Sequence, residues 1–97
     1  MEKEIIEACK TLAKYEGYDV TDNLTTMQTT HLTTLFANDL DLLFQIIDDL
    51  GQLDTIKFFK ALDGSKQCLI GSLGVGQAKK LPEAVCLACA DYIRKTQ

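Results

Sequence analysis

Cys86 and Cys89 stand two residues apart, the spacing at which two thiols can exchange a disulfide or supply half of a zinc site. Thiol exchange needs the first sulfur ionised, as happens at a helix N-terminus that follows a strand. In this chain Leu81-Pro82-Glu83-Ala84 opens the helix earlier, so both cysteines fall inside it, on the apolar stripe of Val85, Cys86, Cys89, Tyr92 and Ile93. Zinc needs four ligands, and only Cys9, Cys68 and the single histidine, His31, remain to complete the set. The pair therefore reads as packed thiols, since free cysteine behaves as a small hydrophobe. His31 has no serine or cysteine nucleophile pattern near it, so no nucleophile, base and orienting group come together in sequence. The expectation is a protein that is not an enzyme and carries no cofactor.

Two other groups of residues suggest binding. Asp39, Asp41, Asp48 and Asp49 flank one predicted helix at spacings that do not form a metal loop, and are candidate polar contacts to a partner protein. Gly71-Ser-Leu-Gly74-Val-Gly76-Gln-Ala-Lys79-Lys80 offers glycine N–H groups and two positive charges just before a helix N-terminus. Gly74, Gly76, Lys79 and Lys80 are accordingly candidate ligands for a phosphate. The order matches neither a P-loop nor a dinucleotide fingerprint, and Pro82 removes one donor, so a flexible connector is the favoured reading of this stretch.

The elements that must hold these residues follow from periodicity. Glu2 to Tyr15 places Ile5, Ile6, Cys9, Leu12 and Ala13 at helical spacing and ends before Gly17. Seven threonines between residues 21 and 34 recur in pairs every four residues. Their β-branching argues for an irregular segment, with room for one short strand at Leu32 to Phe36. Asn38 or Asp39 caps a second helix along Leu40, Leu43, Phe44, Ile47 and Leu50, closed by Gly51. Thr55 to Leu62 and Gln67 to Leu73 form an antiparallel hairpin around Asp63-Gly64. A two-residue turn there sets Phe59 opposite Cys68 and Phe58 opposite Leu69, with one aromatic on each covered face. The fold class is α+β, a single domain over 1–97 in the order α-α-β-β-α: a small α/β/α layered unit in which three helices pack the hairpin.

The chain has 97 residues with 14 acidic and 10 basic side chains, a net charge of −4, so nonspecific nucleic-acid binding is not expected. No apolar run approaches the ~20 residues of a membrane span, and Met1-Glu2-Lys3-Glu4 starts without a signal region, so the expected location is the cytoplasm.

Leu81-Pro-Glu-Ala-Val-Cys-Leu-Ala-Cys-Ala90, the hairpin before it and the helix starting Asn38-Asp-Leu-Asp41 resemble the phage ABA-sandwich domain family, whose members often end in a Pro-Glu-Ala-Ile-Cys-type helix. The resemblance covers most of the chain in element order, with the specific residues in about the last 17. It implies helices around a small sheet in a bacteriophage or prophage protein, and brings no catalytic residues. The expected function is a non-enzymatic accessory protein that binds, and inhibits, a host protein such as an antiviral-defence component in the bacterial cytoplasm. Two alternatives are a nucleotide sponge using the Gly74 to Lys80 stretch and a virion structural component, and self-association into a homo-oligomer is compatible with each.

Overall fold

Helix α1, Lys3–Tyr15, buries Ile5, Ala8, Cys9, Leu12 and Ala13 and leaves its charged side in solvent, as the sequence periodicity requires. It ends where Gly17 takes a positive φ of 94° and the Gly17 and Tyr18 N–H groups bond back to the Lys14 and Ala13 carbonyls at 3.1 and 2.9 Å. The computed structural model describes residues 3–21 and 23–97, so the part of the predicted helix that falls on Glu2 lies outside the described residues.

The threonine-rich segment is a helix, α2, Thr26–Ala37, and not the irregular stretch with a short strand at Leu32–Phe36 that β-branching suggested. Its start is fixed by a capping box: the Gln28 N–H donates to the Thr25 hydroxyl at 3.1 Å, and the Thr25 N–H donates to Gln28 Oε1 at 2.9 Å. Inside the helix the Thr33 hydroxyl donates to the Thr29 and Thr30 carbonyls, so a buried threonine is satisfied without leaving the helix. Thr25→Ala removes one side of the box and is expected to cost about 1 kcal/mol of folding stability, measurable by urea denaturation.

Helix α3, Leu40–Asp49, starts at the Asp39 cap, whose carboxylate accepts the Leu42 N–H at 3.2 Å. A single 3-10 turn at Leu53–Thr55 leads into β1, Lys57–Lys60, then β2, Lys66–Ile70, and β3, Gly74–Ala78, an antiparallel sheet in sequence order. Helix α4, Leu81–Thr96, carries Pro82 in its first turn, where a missing N–H costs nothing. The α+β class and the antiparallel hairpin agree with the sequence reading.

The register of the hairpin differs by one residue from the expected one. Phe58 pairs with Cys68 and Phe59 with Gln67, because the loop holds three residues, Leu62 to Gly64, and not two. Gly64, at φ 88°, sits in the left-handed position that closes a type I turn with a bulge. Asp63 Oδ1 accepts both the Ser65 hydroxyl at 2.7 Å and the Ser65 N–H at 2.9 Å, which lowers the Asp63 pKa. What those bonds contribute is present above the ordinary Asp value of 3.8 and is lost as pH falls through the lowered one.

The third strand is the stretch expected to be a loose glycine connector. Gly74 and Gly76 are buried because α4 lies directly on them: a Cβ on Gly74 would stand 2.5 Å from the Ala88 carbonyl oxygen, and one on Gly76 would overlap the Ala84 carbonyl and the Ala88 amide. Glycine here allows helix and strand backbones to touch. Together with Cys68 and Ile70 these glycines form the covered face of the sheet, while α1 and α3 pack on the far side of α4 and α2 packs chiefly on α1. The layers are thus sheet, α4, and the remaining helices. Among the described residues no helix covers the opposite face, and Phe58 and Phe59 are each 47% exposed rather than covered.

Candidate binding cleft along helix α2

Helix α2 is held by Phe36 and Ala37, which are buried, and by Thr33. That anchoring leaves Met27, Gln28 and His31 exposed and Leu32 and Leu35 half-buried along its outer side. The segment leaving α1 runs past the same side, pinned by an edge-to-face contact of Tyr18 on Phe36 with ring centroids 6.2 Å apart at 82°. Between them lies a cleft of about 490 Å3, with Tyr18, Val20 and Leu24 on one wall and Met27, Leu32 and Leu35 on the other. Asp19, Gln28 and His31 supply its polar rim. An apolar concavity with few polar groups is the usual form of a binding site.

Tyr18, Leu35 and Phe36 also wall a second depression, of about 290 Å3, that continues toward Glu16, Gln45 and Asp49. The two adjoin across these shared walls and are together called the trough, apolar at the Met27 end and acidic at the other. Burial first, then the Asp49 and Glu16 carboxylates, raise the pKa of the neighbouring Tyr15. Between Lys14 and Lys57 the chain holds eight aspartates and glutamates and no lysine or arginine. The half of the chain that builds the trough therefore carries charge of one sign only, which draws cations and repels anions.

A larger groove of about 690 Å3 runs between β3 and α1 over α4, but its walls are mostly charged: Lys3, Glu4, Glu7, Asp91 and Arg94. Asp91 already accepts the Val75 N–H and the Lys95 ammonium, each at 3.0 Å. An apolar ligand has little to contact there.

Of the predicted partner-contact aspartates, Asp41 and Asp48 border one depression on α3, and Asp39 and Asp49 lie outside it. Asp39 is occupied as the helix cap, and Asp41 and Asp48 face outward beside Phe44 and Leu53. Asp49 alone of the four reaches the trough. Of the predicted anion ligands, Gly74 and Gly76 lie in a strand against α4, whereas Lys79 and Lys80 are exposed after it. The sequence reading missed Tyr18, Val20, Leu24, Met27 and Leu35. Two signals could have found them: the Thr25-x-x-Gln28 box that makes α2 a helix, and the long stretch without a basic residue.

The four cysteines are free and buried in the core. Burial pushes the Cys68 thiol up to about 11 and the Cys89 thiol up to about 12. Cys86 is raised by its sulfur contact with Cys9 at 3.8 Å and by burial. Thiols held protonated in this way are poor nucleophiles. Among the described residues no three His, Cys, Asp or Glu side chains converge as metal ligands, and no helix is long and apolar enough to cross a membrane. Compared with protein-family models, curated proteins and solved structures, the chain matches none of them.

Proposed function

We propose that this chain is a non-enzymatic binding protein that captures a segment of a partner protein in the trough along α2, and that it serves as a phage accessory inhibitor of a host antiviral-defence protein. The observation that carries the binding reading is a solvent-open apolar cleft whose lip, Met27, is 83% exposed. A flexible thioether in that position adapts to a partner surface at little cost. The phage reading rests on the likeness of the Leu81–Ala90 helix to the phage ABA-sandwich domain family. Inhibition then works by steric blockade, which needs no catalytic group.

The test is plating of a phage on bacteria carrying a panel of defence systems, with the chain or its Met27→Asp variant expressed. Rescue of plating by the chain on at least one defended strain, lost with Met27→Asp, is the expected result; identical plating with chain and variant on every strain would contradict it.

One observation favours a second reading, the nucleotide sponge. Lys60 and Lys66 stand opposite each other and Ala78 extends that row, so Lys79 and Lys80 follow at the same end of the sheet. Lysines gathered near a helix N-terminus suit a phosphate. Thermal stabilisation by nucleotides that Lys79→Ala and Lys80→Ala weaken would support this reading.

A further inference from the structure

The trough's change from apolar to acidic along its length specifies its occupant. We infer that it takes an amphipathic helix of another protein, with apolar anchors toward Met27, Leu24 and Leu35 and lysines or arginines at the end over Glu16 and Asp49. This rests on the binding reading above and deepens it by naming the partner's chemistry.

The shape argues for a helix. The long wall is α2, twelve residues or about 18 Å, whose outward side chains form the ridges another helix packs between. Among the described residues no free strand edge borders the trough, so an extended peptide would find no main-chain ladder to join. Anchors spaced at i, i+4 and i+7 on the occupant match a groove of this kind.

The charge argues for a basic flank. Glu16 and Asp49 end the trough, Asp19 lies on its rim, and no lysine or arginine of the surrounding segment between Lys14 and Lys57 opposes them. An acidic or neutral flank would leave those carboxylates desolvated against nothing, so the site selects by sign as well as by shape. A second copy of this chain offers no such helix among the described residues: the apolar stripe of α1 is buried, and Arg94 and Lys95 sit at the far end of α4, whose apolar face is also buried.

The probes are three synthetic helical peptides sharing one apolar stripe and differing only in flanks of lysine, glutamine or glutamate, titrated against the full chain by calorimetry. The lysine peptide is expected to bind about tenfold more tightly than the glutamate one at low salt, with the margin shrinking as salt screens the exposed charges. Met27→Asp should weaken binding of all three about thirtyfold or more. Glu16→Gln with Asp49→Asn should erase the preference for lysine while the glutamine peptide still binds. Equal affinity for lysine and glutamate peptides, no binding by any peptide, or lysine-peptide affinity left unchanged by Met27→Asp would each overturn the inference. The two claims fail separately: a partner cross-linked to the trough through an acidic or extended segment refutes this inference and leaves the binding reading standing. Loss of defence rescue with peptide selectivity intact refutes the inhibitor reading alone.

Discussion

Gly76→Ala is expected to destabilise the chain by about 3 kcal/mol, at the upper end of what overpacking costs. The added Cβ would overlap the Ala84 carbonyl and the Ala88 amide, both backbone atoms of α4 that have no rotamer to escape into. Strand and helix must separate, and the buried Cys68, Ile70, Ala84 and Ala88 contacts loosen together. The control is Gly51→Ala. Gly51 has a positive φ of 73° and nothing within 4 Å of an added Cβ, so it pays only the backbone term of about 1 kcal/mol. Urea denaturation of both variants separates the two causes. Equal losses would mean that close packing of α4 on β3 is not what the glycines are for.

Met27→Asp is expected to lower affinity for the partner by about 2 kcal/mol or more, roughly thirtyfold, while changing folding stability by no more than about 0.5 kcal/mol. Met27 is 83% exposed, so its loss from the folded chain opens no cavity. In the complex it lies at the apolar end of the trough, where a new carboxylate would be buried without a partner. Leu62→Asp is the matched control: Leu62 is fully exposed at the hairpin loop, away from α2, and its change should leave both quantities alone.

Much of the scaffold was legible because its signals are local. The apolar spacing of α1 and α3, Gly17 and Gly51 after them, and Pro82 at the start of α4 state their elements directly. Helix α2 was not legible by propensity, since threonine favours strands; the Thr25–Gln28 box and the internal bonds of Thr33 outweigh that preference. Strand β3 was hidden for the opposite reason. Its glycines read as a loop, yet their role is set by α4, which lies well over ten residues away at Ala88. The hairpin register turned on Ser65, whose two bonds to Asp63 add one residue to the loop and move Phe59 opposite Gln67. The trough was the hardest part, because Tyr18 and Phe36 meet only once both helices are placed. Of the acidic candidates only Asp49 faces it, since one helix turns its successive aspartates to different sides.

The measurement that bears most directly on the central claim is site-specific photo-cross-linking in the bacterial cell, with a photoreactive residue at position 27 and, in a parallel chain, at position 62. If the trough is where this protein binds, a single discrete protein adduct forms from position 27 and none from position 62. Adducts from position 62 alone, or from neither position, would contradict it.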